Sequence, residues 1–226
     1  MAHRPHLYLP RPWTGDVIGV SDETRHHIER VLRATDLAVD YTDGEGVVGS
    51  GRYASGELVR GNERQVPLPS PAIGVAVAAP QAADRQRFVV EKLAEVGIER
   101  LIWLRTAHGG HRAPPHARAV AWSVAALEQS RGARLMQIEG PVSLSDLADR
   151  GPVQLAHPGT APLRVDADPL VLAIGPEGGF AETELAVAGA GAFGLGARIL
   201  RIETAAVVAA TIALHATGRL ARTAGD

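Results

Sequence analysis

The chain contains no cysteine. Disulfides, thiolate metal sites and cysteine nucleophiles are therefore excluded. Met1-Ala2-His3-Arg4-Pro5 leads into no apolar segment of the kind that drives secretion. No run approaches the ~18 uninterrupted apolar residues that a membrane helix needs. These absences make the cytoplasm the expected compartment. Internal repeats and low-complexity tracts are missing too. A strong charge of either sign is also missing: 23 Lys and Arg against 25 Asp and Glu give a net −2. Bulk charge therefore does not advertise nucleic acid as a partner.

What is present is ordinary globular material. The 226 residues are 46% hydrophobic and 21% charged, enough for a large domain or for a small one plus a medium one. Charge is uneven along the chain. Residues 81–135 hold nine Arg or Lys against five Asp or Glu, with His108, His111 and His116 beside them. Such a stretch reads either as solvated helices or as an RNA-facing patch, because phosphate contacts are local.

Residues 1–66 read as short strands and turns. Leu7-Tyr8-Leu9 and Val39-Asp40-Tyr41-Thr42 are strand-like, and Asp43-Gly44 signals a hairpin. Gly46 to Gly49 and Glu57 to Arg60 continue the β pattern. A helix with His26, His27, Ile28, Val31 and Leu32 interrupts it, and Ser21 is its expected cap. Pro67-Leu68-Pro69-Ser70-Pro71 can continue neither ladder nor helix, so the linker falls there. Beyond it strands and helices alternate. Strands are expected at Ile73–Ala79, Leu101–Leu104, Val153–Ala156 and Leu170–Ile174. Helices are expected over Asp84–Val96, with Phe88, Val89, Leu93 and Val96 on one side, and over Pro115–Arg131, with Val120, Val124 and Leu127 inward. A short helix starts at Ser143; others cover Glu182–Ala188 and Thr204–Leu220. Alternation of this kind implies an α/β parallel sheet covered on both faces.

Two motifs carry chemistry. In Leu172 to Phe180 an apolar strand runs into Gly175-Pro176-Glu177-Gly178-Gly179. Glycines let a ligand reach backbone N–H and C=O groups, and ligands of open α/β sheets sit at the carboxyl ends of strands. The loop has neither the Gly-Lys-Ser/Thr of a phosphate loop nor the spacing of a dinucleotide fingerprint. In Leu195 to Ala205, after the strand Ala192-Phe193, Arg198, Arg201 and Glu203 gather where a helix N-terminus presents free amides. Read alone, Glu203 is also a good first-turn carboxylate for the helix dipole.

The pair of motifs resembles the ribosomal RNA small subunit methyltransferase E family, a SPOUT-class group. His27 to Arg33, Glu91 to Gly97, Glu128-Gln129-Ser130 and His157-Pro158 extend the resemblance over nearly the whole chain. It implies a PUA-like, RNA-binding β-barrel over 1–68 and a SPOUT methyltransferase domain with a C-terminal trefoil knot over 72–226. It implies S-adenosylmethionine as cofactor, a homodimer with its active site at the subunit interface, and N3 of a uridine in small-subunit (16S) ribosomal RNA as acceptor. The cofactor is expected against His157, Ile174, Gly175, Gly178, Leu195, Gly196, Ile199, Leu200 and Ala205. The Ala-rich last helix fits close packing against a second subunit, or a core position. Arg201 is the expected cation that favours the deprotonated base, with Arg198 second. Glu203 is expected to orient Arg201 or accept the proton, and Glu177 is the other carboxylate candidate. No metal is expected.

The chain departs from the family pattern at Ala181, where a Ser or Thr cap is usual, at Ala197 for proline, at Ile202 for threonine, and across Thr106–Arg112. These departures bear on the target nucleotide. A SPOUT enzyme with a different RNA acceptor, such as a ribose 2′-hydroxyl, and a non-catalytic ribosome-assembly protein remain open as alternatives. A metal hydrolase is disfavoured because no carboxylate completes a ligand set near His108, His111 and His116.

Overall fold

The computed structural model of the chain describes residues 4–31, 33–109, 112–187 and 191–220. Leu32, Gly110, His111 and Ala188, used in the reading above, lie outside the described residues. The chain packs as two compact units. One holds residues up to Leu68 together with Val124–Leu135; the other holds Pro69–Ser123 and the chain from Met136 onward.

In the first unit the elements are β1 (His6–Tyr8), β2 (Val17–Gly19), α1 (Asp22–His26) with a π-helical turn at His27–Val31, β3 (Asp36–Thr42), β4 (Val47–Ala54) and β5 (Glu57–Gln65). They form one curled, mixed sheet, a half-barrel in the order β1-β3-β4-β5-β2, with β1 parallel to β3 and the other pairs antiparallel. Leu7, Leu9, Val39, Tyr41, Tyr53 and Leu58 fill its inside. Ser21 caps α1, its Oγ accepting the Thr24 N–H at 3.1 Å. Asp43 makes the hairpin: its Oδ1 accepts the N–H groups of Glu45 at 2.7 Å and Val47 at 3.0 Å, an Asx turn. Residues after Val124 complete this unit. Glu128 accepts the Tyr8 N–H at 2.8 Å, and Thr42 donates to the Ala133 carbonyl at 2.9 Å. β2 went unpredicted because only Ile18 of its three residues is buried, which leaves no periodic signal.

The second unit comprises β6 (Ile73–Ala78), α2 (Ala83–Glu95), β7 (Arg100–Arg105), the first half of α3 (His116–Ser130), β8 (Gln137–Ser143), α4 (Leu144–Ala148), β9 (Val153–Ala156), β10 (Leu170–Ile174), α5 (Glu182–Val187), β11 (Gly191–Phe193) and α6 (Ile202–Ala216). Its six strands are all parallel, in the order β11-β9-β10-β6-β7-β8. All six residues of β6 and all five of β10 are buried, as central parallel strands require. Alternate residues serve opposite faces. Ile73, Val75, Val77, Leu170, Leu172 and Ile174 pack with α2 and α6. Ala76, Ile102, Leu104, Val171 and Ala173 pack with Leu144 and Leu147 of α4.

Several expectations shift. On α2 the buried residues are Gln86, Val89, Val90 and Leu93, while Phe88 is 42% exposed. Periodicity could not choose between adjacent stripes both rich in apolar residues. In α3, Ala119, Ser123, Ala126 and Leu127 are buried, and Val120 and Val124 only partly so. β8 was not anticipated: Gln137, Glu139 and Gly140 break its apolar pattern at the sheet edge. The last helix runs over Ile202–Ala216, not Thr204–Leu220, and Gly218 at φ +74° ends it. Its Ala205, Ala206, Ala209, Ala210 and Ala213 are spent on this chain's own core.

Candidate functional site

Three strand ends converge on one cavity. β9 delivers His157-Pro158, β10 delivers Gly175 to Phe180, and the segment after β11 delivers Leu195, Gly196 and Arg198 to Arg201. With Ala156, Ile174, Ile202 and Ala205 they enclose about 530 Å³, within the ~300–1,000 Å³ of small-molecule sites.

Each loop is fixed by local bonds. β10 is buried up to Ile174, and the chain turns beyond it at Pro176–Gly179. The Gly179 N–H closes a turn onto the Pro176 carbonyl at 2.8 Å, and Gly179 takes φ +72°, where a side chain would be strained. The His157 N–H binds the Phe193 carbonyl at 3.0 Å, joining the first loop to the third. The Gly194 N–H binds the Ala161 carbonyl at 2.7 Å, and a Cβ on Gly194 would stand 2.6 Å from the Thr160 carbonyl oxygen. No residue with a side chain fits that crossing unchanged.

All nine residues expected to hold the cofactor line this cavity, as do Glu177, Arg198 and Arg201. Arg201 is exposed and is the N-cap of α6, with extended backbone and no side-chain cap bond. Glu203 does not line the cavity. It lies in the first turn of α6 facing Arg85 of α2, Oε1 to Nε 3.6 Å, and its Oε2 is buried with no partner among the described residues. Ile202 is 3% exposed and packs into the main core. Ala197 faces a second cavity of about 350 Å³ between Pro158–Pro162 and Gly194–Ile199. The Gly196–Ile199 segment thus partitions the two spaces, and Ile199 is 84% exposed on it.

Two residues, Arg85 and Glu184, escaped the sequence reading. Arg85 came from a different helix. His108, read above only beside the basic stretch and as a disfavoured metal ligand, sits against the glycine-rich turn, its Nδ1 3.2 Å from the Gly179 carbonyl. Glu184 accepts the Ala181 N–H at 2.8 Å and the Ala107 N–H at 2.9 Å. Its position three residues after the N-cap, as in a capping box, was the available signal. It supplies half of that box although Ala181 has no hydroxyl. Among the described residues no group of three or more His, Asp or Glu could hold a metal ion. None of the described helices is long and apolar enough to cross a membrane.

The RNA methyltransferase domain family matches residues 67–214, well over half of the chain. The ribosomal RNA small subunit methyltransferase E of Mycobacterium bovis is 31% identical over 232 residues, covering 88% of this chain and 86% of its own. The chain belongs to the ribosomal RNA small subunit methyltransferase E family. Its fold agrees with solved structures. The family member from Neisseria gonorrhoeae, solved bound to S-adenosylmethionine, superposes with a TM-score of 0.80 at 22% identity, over 94% of this chain and 98% of that one. A protein from Legionella pneumophila, solved in complex with the same cofactor, gives a TM-score of 0.81 at 22% identity over 95% and 98%. The parallel-sheet unit is accordingly SPOUT-like.

Proposed function

We propose that this chain transfers a methyl group from S-adenosylmethionine to N3 of a uridine in the 16S RNA of the small ribosomal subunit. One observation carries the proposal: a single cavity at the strand ends gathers the glycine-rich turn, the second motif's two arginines and the Glu177 carboxylate. The cofactor fits the residues present. Ile174, Leu195, Ile199, Leu200 and Ala205 supply apolar surface for an adenine, and the glycine loops leave backbone groups reachable. Bound there, S-adenosylmethionine supplies an electrophilic methyl on a sulfonium.

This chain's residues then deal with the acceptor. Uracil N3 is a poor nucleophile while it holds its proton. Arg201, with Arg198 beside it, places positive charge where the uracil oxygens become anionic, an electrostatic role. Glu177 is the carboxylate on the cavity wall and the better placed proton acceptor. Glu203 belongs to the support, holding Arg85 beside the start of α6. The target base must leave any stack to arrive there.

The half-barrel unit, taken as a domain over residues 1–68, is assigned to gripping RNA, and the C-terminal chain to a knot. The Pro162–Gly194 bridge and the Gly194–Ala161 bond support threading of that segment. A homodimer in the cytoplasm completes the reading. The test is methyl transfer from labelled S-adenosylmethionine to small subunits lacking the modification, followed by nucleoside analysis. N3-methyluridine is the expected product. Another methylated nucleoside moves the target, and a protein that neither binds the cofactor nor transfers a methyl group refutes the proposal.

A further inference from the structure

The half-barrel unit has a cavity of its own, of about 380 Å³, within the ~300–1,000 Å³ of small-molecule sites. His6 of β1, Asp40 of β3 and Ser50 of β4 lie side by side across three strands, Asp40 being in register with both of the others. All three line the cavity. Their chain neighbours Leu7, Val39 and Tyr41 belong to the apolar core of the unit, so the polar row occupies the opposite face of the sheet. A β-bulge carries the row on into β5. Gly49 pairs with Glu63 and Gly51 with Arg60, so Ser50 faces two residues, Gly61 and Asn62. Bulges re-aim side chains and recur beside functional sites. A Cβ on Gly61 would stand 2.6 Å from the Ser50 carbonyl oxygen, so the strands close there only on a glycine. Asn62 lines the cavity with Ser50, and neither side chain has a partner among the described residues.

The carboxylates of this cavity are already engaged. Asp40 lies 3.4 Å from Arg131 and 3.9 Å from Arg4. Glu63 accepts from Arg60 Nε at 2.7 Å and Nη2 at 2.8 Å, and from the Tyr41 hydroxyl at 2.5 Å. Arg64 lines the same cavity, is exposed, and has no anionic partner among the described residues. Two arginines on one aspartate and an unpaired Arg64 leave a local positive excess. Arg131 takes φ +59°, a conformation that favours glycine, and there its Nη2 also donates to the Arg4 carbonyl at 2.6 Å. His6 Nε2 lies 3.1 Å from the Gly132 carbonyl. A carbonyl only accepts, so Nε2 carries the hydrogen and Nδ1 is the acceptor of the neutral ring. Burial holds the imidazole below the ordinary histidine value, outweighing the Gly132 bond and the Asp40 charge, which raise it.

An anionic group suits the unpaired guanidinium. A planar edge of donors and acceptors suits the Ser50 hydroxyl, the Asn62 amide and His6. An unpaired nucleotide offers both, because its base edge is not engaged in a helix. Resting on the reading of the half-barrel as the unit that grips RNA, we propose that this cavity holds one unpaired nucleotide of the RNA other than the methylated one. Asn62 and Ser50 meet the base edge, and Arg64, with Arg131 beside it, takes the phosphate.

The experiment measures the affinity of full-length protein for unmodified 16S RNA and for single-stranded homopolymers of A, C and U. Wild type is expected to rank the homopolymers. Asn62→Ala should weaken 16S RNA binding about 5- to 150-fold, the range of one base contact, and flatten the ranking. Asn62→Asp replaces the amide donor by an acceptor and should move the ranking toward bases that carry an exocyclic amine. Arg64→Ala should weaken all three homopolymers alike and lower the salt slope by roughly 0.7–1. A merely structural role would not reorder base preference. An Asn62→Ala protein with wild-type affinity and ranking overturns the proposal, even if Arg64→Ala weakens binding, because general electrostatics then suffices. If Asn62→Ala does not fold, Asn62→Asp decides, and an unchanged ranking there is a refutation. Free AMP, CMP and UMP are titrated in parallel. A free mononucleotide that binds while the Asn62 variants leave RNA affinity unchanged assigns the cavity to a small molecule and also overturns the proposal. The parent function is read separately: weakened RNA binding by Asn62→Ala in a protein whose wild type transfers no methyl group supports the site and brings down only the methyl-transfer reading.

Discussion

Glu203→Gln separates chemistry from support. The glutamate and Arg85 lie 3.6 Å apart, with 13% and 39% of their side chains exposed. At an effective dielectric constant near 20 the gross attraction of two unit charges at that distance is about 5 kcal/mol. Water around Arg85 screens most of it, and exposed pairs retain about 0.2–1 kcal/mol. A carboxylate in the first turn of α6 adds about 0.3–1 kcal/mol through the helix dipole. Glutamine keeps the shape and loses both contributions, so the expected cost is about 0.5–2 kcal/mol, or roughly 1–8 °C in Tm for a chain of this size. Turnover should stay within about threefold of wild type, because removal of a true proton acceptor costs roughly 10²–10⁴-fold. Calorimetry and single-turnover methyl transfer on the same preparation read the two effects. A Tm equal to wild type with turnover down a hundredfold refutes the reasoning and returns Glu203 to the chemistry.

Arg201→Ala should lower kcat by about 10²–10³-fold with S-adenosylmethionine affinity near wild type by titration calorimetry; wild-type turnover sinks its assignment. Gly194→Ala forces a Cβ to 2.6 Å from the Thr160 carbonyl oxygen. It should cost about 1–3 kcal/mol and weaken cofactor binding, and an unchanged Kd would show that this crossing does not shape the cavity. Arg219 binds Glu99 through both Nη atoms, at 3.1 and 2.5 Å, and the Gly97 carbonyl at 2.6 Å, with side chains 19% and 16% exposed. Arg219→Ala should cost about 2–3 kcal/mol in urea unfolding, below the figure for a fully buried pair. Asp43 gives the pH dependence. Burial pushes its carboxyl up, but the Arg11 hydrogen bond, the Glu45 and Val47 N–H groups and the Arg11 charge outweigh burial and leave it below the ordinary aspartate value. Its contribution is therefore present above the ordinary aspartate pKa and lost as pH falls through the depressed one. Asp43→Asn should flatten the acid limb of first-unit stability followed by fluorescence.

The class of fold was legible in the sequence, and the residues singled out by its two motifs do come together around one cavity. Continuous apolar runs at Ile73 and Leu170 mark central parallel strands, because both faces are covered and no alternation is needed. Glycines after Ile174 and arginines after Leu195 mark a candidate site, because glycine leaves backbone groups reachable and the arginines gather where a helix begins. Tertiary structure decided what depends on pairing between distant segments. β2 and β8 are strands only through their neighbours, since their own residues carry little pattern. Which stripe of α2 is buried was settled by the sheet beneath it, which took Val90 and left Phe88 outside. The second half of α3 serves the half-barrel unit, which no linear boundary expresses. Glu203 was drawn away from the cavity by an arginine more than a hundred residues earlier, and Glu184 acquired its second partner from the loop after β7. Local sequence fixes which donors and acceptors exist. Only the packed chain fixes which of them meet, because a hydrogen bond or ion pair is decided over a few ångströms that sequence separation does not encode.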